Sequence, residues 1–360
     1  MADLDSGFES LNTSESDRDS LISDEDAEQE RKCTEEAKNL LARCVRRCVQ
    51  LCEYRIDLLL GYGTFGIVVE ATHLQSGQRV AIKIARKAQI HSSRMCTDPR
   101  TNQPTPLEVA LLKYCPRHDN IIKYLSSWED QECWYLVTEL GGHAWSSNTR
   151  QPKYERLTLV TAASTFQHVL VPKHSNNHSL AGLLRASGGY SGRKMTHGPV
   201  MAETIQKHIF RQIADGLNAL HQHGIAHKDI KDENVLVDSH LNVKIIDFGH
   251  AAFYRTASNP NIAPFKSYGT PLFAAPEIRS GLGYIGPECD IYALGLMLYE
   301  ATTGDLPENL EAAVYSPEAQ SPFDFGSFSP DAADLCRWML CPDPMQRATI
   351  GDILAHPFLN

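Results

Sequence analysis

His227-Lys228-Asp229-Ile230-Lys231-Asp232-Glu233-Asn234 is followed by Val243-Lys244-Ile245-Ile246-Asp247-Phe248-Gly249, then by Gly269-Thr270-Pro271 and Ala275-Pro276-Glu277. Taken alone, Asp229 reads as a capping or turn aspartate. Its ordered companions discount that reading and make the flanking sequence decisive. Upstream, Ile205, Ile209, Ile213, Leu217 and Leu220 recur at helical spacing, and the run closes at Gly224. Downstream, Asp290 to Thr303 is apolar nearly all round (Ile291, Tyr292, Leu294, Leu296, Met297, Leu298), the mark of a buried central helix. Farther upstream, residues 54–140 alternate short β-rich runs around Gly66 to Ala71, Arg79 to Ala85 and Trp134 to Glu139, with a short helical signal from Leu107 to Tyr114. A small β-rich part therefore precedes a larger helical one, and no internal repeat is visible.

In the β-rich part, Gly61-Tyr62-Gly63-Thr64-Phe65-Gly66 fits a GxGxxG pattern that dinucleotide-binding folds share. In those folds the glycines open a helix, whereas here Ile67-Val68-Val69-Glu70-Ala71 continues as a strand. A strand–loop–strand hairpin over a nucleotide's phosphates is the better fit, and a dinucleotide-dependent enzyme fails. Lys83 follows Gly66 by seventeen residues, at the end of Val80-Ala81-Ile82-Lys83. A lone lysine on such a strand usually snorkels to the surface; a buried one needs an anion. Glu108, in Pro106-Leu107-Glu108-Val109-Ala110-Leu111-Leu112, is the candidate partner. The pair would hold the ammonium over the α and β phosphates.

Together these motifs resemble, in order and spacing, the eukaryotic protein kinase family of serine/threonine type. The resemblance covers about residues 54–360. Thr303-Gly304-Asp305-Leu306-Pro307, Leu107 to Leu112 and Lys231-Asp232-Glu233-Asn234 look most like its Pim-like branch, in the calcium/calmodulin-kinase-like group. The resemblance implies an α+β, bilobal fold with an N-lobe over 54–140, an insertion over 141–178 and an α-helical C-lobe over 179–360. It also implies transfer of the γ-phosphate of ATP to Ser or Thr hydroxyls of protein substrates in intracellular signalling, with ATP and Mg²⁺ as cofactors. Lys231, two residues after Asp229, and Gly269-Thr270-Pro271 resemble the serine/threonine pattern.

Phosphoryl transfer asks little covalent chemistry of a protein, so rate comes from positioning and charge neutralisation. The resemblance implies that Asp229 accepts or orients the proton of the substrate hydroxyl, and that Lys231 neutralises charge on the transferring group beside the Lys83 and Glu108 pair. Asn234 and Asp247 would hold Mg²⁺, a hard cation that favours oxygen ligands. Gly61, Gly63, Gly66, Val68, Ala81, Lys83, Thr138, Glu139, Gly141 and Leu236 would bind the nucleotide. Among them Thr138 stands at the gatekeeper position, and the backbone of Glu139 to Gly141 would meet the adenine edge. Glu277 would pair with Arg347, and Asp290 would anchor the catalytic loop. His227, Phe248, Leu112 and a residue of the sheet would stack as an apolar spine. The rival reading, a pseudokinase scaffold, has little reason to keep Lys83, Glu108, Asp229, Asn234 and Asp247 together.

Three features depart from the family pattern. Lys228 stands where the family usually has Arg, a single compact charge in place of a bidentate fork, which puts activation by loop phosphorylation in doubt. Thr270 reads as a contact to the catalytic loop rather than a switch. The stretch from Gly141 to His178 reads as a long insertion whose one apolar run, Leu157 to Val171, forms a hairpin or folds on a partner. It could cover the nucleotide cleft or recruit a substrate. Pro307 to Pro330 is poor in helix signal, so the usual substrate-side helix is expected to be short or remodelled. Glu233 implies a preference for basic substrates.

The net charge of -10 is concentrated at the start: residues 1–30 hold 11 acids and one base, Arg18, which leaves 33 acids against 33 bases. The neutral remainder makes no electrostatic case for a dedicated nucleic-acid binder. Residues 1–31 read as a disordered acidic tail. Residues 32–53 read as an amphipathic helix, with Ala37, Leu40, Leu41, Cys44, Val45, Cys48 and Val49 on one face, that packs on the body in preference to a partner. The ten cysteines show no CxxC pair and read as reduced thiols. Cys44, Cys48 and Cys52 repeat every four residues; a small-apolar stripe is favoured over a metal site because no His or acid completes a set. The longest uncharged stretch, Leu157 to Pro172, is too short and polar to span a bilayer, and MADLDSGFES is no secretory signal. A cytoplasmic location is expected, with a nuclear one left open, and oligomeric state stays open.

Overall fold

The computed structural model describes residues 24–63, 66–98, 100–141, 154–160, 166–172, 180, 183–184, 201–255, 269–279, 286–307, 310 and 321–360. The chain opens with helix α1 (Asp24–Arg47) and strands β1 (Tyr54–Gly63), β2 (Gly66–His73) and β3 (Arg79–Arg86). A small ribbon of β4 (Met95–Thr97) and β5 (Pro104–Pro106) leads into α2 (Leu107–Tyr114), then β6 (Tyr124–Glu129) and β7 (Cys133–Glu139). β8 (Tyr154–Val160) and β9 (Phe166–Pro172) follow. Seven of these strands form one sheet in the order β6-β7-β3-β2-β1-β9-β8.

Strand register decides what each face of that sheet does. Val68 stands opposite Lys83, Lys83 opposite Leu136, and Ala81 opposite Thr138, so the period of two puts all five on one face. That face meets the helical lobe, where Leu136 joins the core of Leu112, Ile213 and Phe248. Ile67, Val69, Ile82, Ile84 and Val137 take the other face and are buried under α1. The helix contributes Ala37, Leu40, Leu41, Cys44, Val45 and Cys48 at three- and four-residue spacing, as expected of a helix that packs on the body. Trp128 stacks on Tyr135 with ring centroids 5.3 Å apart, and its Nε1 donates to Cys48 Sγ at 3.2 Å. Cys44 Sγ lies 3.7 Å from Cys133 Sγ inside this apolar layer, so Cys44 and Cys48 serve as core side chains.

The boundaries of α1 correct two expectations. The helix begins at Asp24, inside the stretch read as a disordered tail, and ends at Arg47, with a separate 3₁₀ turn at Gln50–Glu53. The physical reason is that a run of acids, too polar to bury, is still well placed at a helix N-terminus. Farther along, Glu28 pairs with Arg31 and Glu35 with Lys38 at i,i+3. At the C-terminal end Arg47 reaches Asp130 at 3.2 Å and also pairs with Glu132 on the β6–β7 turn. Residues 1–23 lie outside the described residues. Because Leu41 is fully buried, Leu41→Ala is expected to lower unfolding stability by roughly 3 kcal/mol. Urea denaturation checks this, and a loss below roughly 0.5 kcal/mol, the scale of a surface substitution, would show that α1 contributes little to the lobe.

The inserted apolar run is a hairpin that extends the sheet. β9 pairs antiparallel with β8 and lies parallel beside β1, with Leu58 opposite Leu170. The N-terminal sheet therefore does not end at residue 140, a correction that follows from the open edge β1 would otherwise present. Residues 142–153, 161–165 and 173–178 of the insertion lie outside the described residues.

The second lobe is built on α3 (Glu203–Gln222) and α4 (Glu288–Thr303). Ile209, Ile213, Leu217 and Leu220 of α3 are buried, with Ile205 partly so, and Gly224 beyond it has φ +73. Every residue of α4 from Cys289 to Thr302 is buried, and the helix stops at Gly304 in the left-handed conformation that C-terminal glycines favour. Between them lie two short ribbons, β10 (Ile225–Ala226) with β13 (Ala252–Phe253) and β11 (Val235–Val237) with β12 (Val243–Ile245). α5 (Pro330–Met339) is capped by Ser329, and α6 (Ile350–Ala355) by a capping box of Thr349 and Asp352. Over the described residues 321–329, Phe323, Phe325 and Phe328 gather around Tyr299 without forming a helix. Residues 308–309 and 311–320 lie outside the described residues. No described helix is long and apolar enough to cross a membrane.

Candidate active site

The cleft between the lobes collects the residues singled out by the sequence. Lys83 projects from β3 on the face turned toward the helical lobe, and its Nζ donates to Glu108 Oε1 at 2.6 Å and to Asp247 Oδ1 at 2.9 Å. Glu108 sits in the first turn of α2 and Asp247 just beyond β12, so one ammonium ties three elements together. Burial acts to lower the Lys83 pKa, yet the Asp247 and Glu108 carboxylates outweigh it and hold the ammonium above its ordinary value. Asp247 is held below the usual carboxylate range: burial opposes this, and Lys83 is the main counterweight. Burial pushes Glu108 up, partly offset by Lys83. The charged forms of Lys83 and Asp247 thus stabilise each other.

The loop after β10 supplies the second group. Asn234 Nδ2 donates to Asp229 Oδ2 at 2.9 Å and to its backbone oxygen at 2.8 Å. Thr270 donates to Asp229 Oδ1 from its N–H at 2.7 Å and from its hydroxyl at 3.0 Å. Lys231 Nζ donates to Thr270 Oγ1 at 2.7 Å and stands 3.9 Å from Asp229 Oδ2. Both oxygens of Asp229 are therefore fixed in direction by neighbours. Thr270 makes the catalytic-loop contact expected of it. A Cβ added to Gly269 would collide with the Asp229 carboxyl, which is why glycine precedes Thr270.

This loop is braced from below. Asp290, fully buried at the start of α4, accepts from the backbone N–H of His227 at 2.8 Å and of Lys228 at 2.7 Å. It also lies 2.9 Å from His221 Nε2. Burial raises the Asp290 pKa less than His221 and the loop lower it, so the carboxylate stays ionised. Lys228 has φ +66, unusual for a residue with a side chain, and burial lowers its ammonium to about 8. His227 Nε2 meets Ile246 O at 2.9 Å, and its ring packs edge-on against Phe248. Phe248 belongs to the same buried core as Leu112 and Leu136, with Tyr124 packed against it.

The nucleotide-side residues assemble around the same cleft. Gly63 pairs with Gly66 where β1 turns into β2, and any side chain at Gly66 would strike the backbone of Ile84. Gly61 and Gly63 have open space where a Cβ would stand. Thr64 and Phe65 lie outside the described residues. Tyr62 OH accepts from Thr34 Oγ1 of α1 at 3.3 Å, so the helix touches this hairpin. Val68, Ala81 and Thr138 share the face of Lys83. A Cβ on Gly141 would lie 3.2 Å from Leu236 Cδ1, which puts these two expected residues in contact across the lobes. Glu139 spends its N–H on Lys123 O at 3.0 Å and its side chain on Lys244 at 2.8 Å. Two residues carry no motif signal and were not anticipated: Arg94, whose guanidinium donates to Gly249 O, and His250, which it also meets.

Comparison with known proteins agrees with this geometry. The family described as the protein kinase domain matches residues 54–170 and 157–359. The chain is 31% identical over 310 residues to a probable serine/threonine-protein kinase of Dictyostelium discoideum, covering 86% of this chain and 18% of that one. It is 29% identical over 314 residues to serine/threonine-protein kinase SIK1 of Mus musculus, covering 85% and 32%. It is 29% identical over 313 residues to NUAK family SNF1-like kinase 1 of Homo sapiens, covering 85% and 38%. The chain thus spans well under half the length of these relatives. With the matched region taking in the glycine hairpin, the Lys83 network and the Asp229 loop, the chain belongs to the protein kinase domain family.

Proposed function

We propose that this protein is a serine/threonine protein kinase that transfers the γ-phosphate of ATP to hydroxyls of protein substrates. The observation that carries the reading is the joined set of contacts from Glu108 through Lys83 to Asp247, facing an Asp229 whose two oxygens are held by Thr270 and Asn234. The Asp229 carboxylate, so oriented, accepts the proton of an incoming hydroxyl. Lys231, tied to Thr270, places a cation beside that carboxylate to offset charge on the group in flight. Lys83 presents its ammonium to the α and β phosphates, and Val68, Ala81, Thr138, Gly141 and Leu236 line the space for the base.

The donor set fits magnesium. Lys83 and the Gly249 N–H both bond Asp247 Oδ1, and the Asp247 side chain remains 38% exposed. Asn234 commits its Nδ2 to Asp229, which leaves its amide oxygen as the atom suited to a hard cation. Among the described residues no cluster of three His, Cys, Asp or Glu side chains forms a metal centre by itself. A cation held by Asp247 and Asn234 would complete its shell with phosphate and water oxygens, the habit of Mg²⁺. When bound, Mg²⁺ supplies charge neutralisation at the phosphates.

Two finer readings accompany the proposal. Glu233 is half-exposed and stands 3.7 Å from Lys231, a placement that supports selection of basic residues in the substrate. The residues from Thr303 to Pro307 and from Leu107 to Leu112 support a place near the Pim-like branch. A positional-scanning peptide array with γ-labelled ATP and Mg²⁺ tests both the chemistry and the preference. The expected result is label on Ser and Thr with Arg or Lys selected upstream; label on Tyr alone would overturn the serine/threonine reading, and no basic selection would remove the role given to Glu233.

A further inference from the structure

We propose that Arg94 is a positioning residue that holds the Asp247-Phe248-Gly249 turn from the opposite lobe. Its kinetic consequence rests on the kinase reading above; its structural claim does not. Arg94 closes a 3₁₀ turn, Ser92–Arg94, which is capped by the His91 side chain, immediately before β4. From there the guanidinium crosses to the helical lobe, where Nη1 donates to the Gly249 carbonyl and Nη2 meets His250 Nδ1. A planar fork of donors is suited to two acceptors on adjacent residues. In the tautomer protonated at Nε2, His250 offers its Nδ1 lone pair to that fork.

The anchor at the other end is stiff. Met95 pairs with Pro106, Cys96 with Thr105 and Thr97 with Pro104, so the β4–β5 ribbon leads straight into α2. Asp98 at the ribbon's tip accepts from the Arg100 N–H at 2.8 Å, Lys113 Nζ at 2.7 Å and Tyr114 OH at 2.9 Å. Lys113 and Tyr114 end α2, whose first turn carries Glu108. Arg94 and Glu108 therefore ride on one braced unit. That unit grips the turn twice, through Glu108 and Lys83 to the Asp247 carboxylate and through Arg94 to the Gly249 carbonyl.

The turn has reason to need a second grip. Asp247 has φ +60, a conformation sparsely populated by residues with a side chain, and such residues persist only where their surroundings over-determine them. Gly249 gives its N–H to Asp247 Oδ1 at 3.2 Å, and Arg94 fixes the carbonyl of the same glycine. Both polar groups of Gly249 are thereby tied, its N–H to the Asp247 carboxylate and its carbonyl to Arg94. Arg94 is half-buried, and burial lowers its guanidinium pKa by more than the nearby Glu108, Asp229 and Asp247 carboxylates raise it.

The test compares the full chain with Arg94→Ala, Arg94→Lys and His250→Ala. Hydrogen–deuterium exchange over residues 243–255 reads the grip without catalysis. Loss of a charged hydrogen bond is expected to speed exchange there by about tenfold or more in Arg94→Ala, with α4 unchanged. His250→Ala, which removes one acceptor, should give a smaller increase, and Arg94→Lys should recover part of the protection because an ammonium still reaches one acceptor. In phosphate transfer, kcat should fall about tenfold and the Mg²⁺ requirement rise while the peptide KM holds. Unchanged exchange over 243–255, or a uniform rise across the chain that Lys does not rescue, would overturn the assignment. If no version transfers phosphate, the kinase reading fails, and the exchange comparison still decides the role of Arg94. Should Arg94→Ala not fold, His250→Ala carries the same exchange test.

Discussion

Asp229→Asn is expected to lower kcat for phosphate transfer by at least about a hundredfold, the contribution typical of a positioned acid or base, while ATP affinity stays within about twofold. The asymmetry follows from what Asp229 touches. Its carboxylate is bound to Thr270 and Asn234 rather than to Lys83 or the glycine hairpin, so the nucleotide-side contacts do not depend on it. The amide retains an oxygen for the Thr270 N–H, but it sets an NH₂ against Asn234 Nδ2 and lacks the charge that attracts a hydroxyl proton. Steady-state kinetics with varied ATP check both numbers. A variant that keeps more than a tenth of wild-type kcat would show that Asp229 is not the base.

Arg347→Met is expected to destabilise the chain by about 3 to 5 kcal/mol, the cost of leaving a buried charge without its partner. The Arg347 side chain is 0% exposed and that of Glu277 4%. All five of its N–H donors have work: Nη1 and Nη2 take the two Glu277 oxygens at 2.7 and 2.8 Å, and the rest reach the carbonyls of Glu288, Cys341 and Pro342. Removal strands a carboxylate and three carbonyls at once, where the segment after Thr270 meets α4. The double variant Glu277→Gln/Arg347→Met should be less destabilised than the sum of the single changes, because the unpaired charge is gone. Denaturant unfolding of the four chains measures this, and additive losses would show that the pair is not coupled.

Much of the site was legible because its chemistry fixes residue types at short spacing. Asp229, Lys231 and Asn234 lie in one loop, and Asp247-Phe248-Gly249 follows the next ribbon, so order alone carried the reading. Lys83 and Glu108 needed only a strand and a helix to be told apart. The hairpin at residues 154–172 was legible as apolar, yet its neighbour β1 lies about a hundred positions earlier and left no local mark. The start of α1 was missed because polarity and helix-forming tendency point in opposite directions in an acidic stretch. A sign of its burial was present all the same. Ile67-Val68-Val69 and Val80-Ala81-Ile82 lack the alternation of a sheet with one wet face, as strands covered on both sides do. Arg94 and His250, like His221 with Asp290, are single residues joined only by the fold.

On the proposed function, the Lys83 network and the Asp229 loop together move a phosphate. Transfer of label from γ-labelled ATP with Mg²⁺ to a mixed Ser, Thr and Tyr peptide library by the purified full chain tests it most directly, with phosphoamino-acid analysis of the product. Label is expected on Ser and Thr and disappears in Asp229→Asn. A chain that binds ATP and Mg²⁺ but labels neither itself nor any peptide would contradict it.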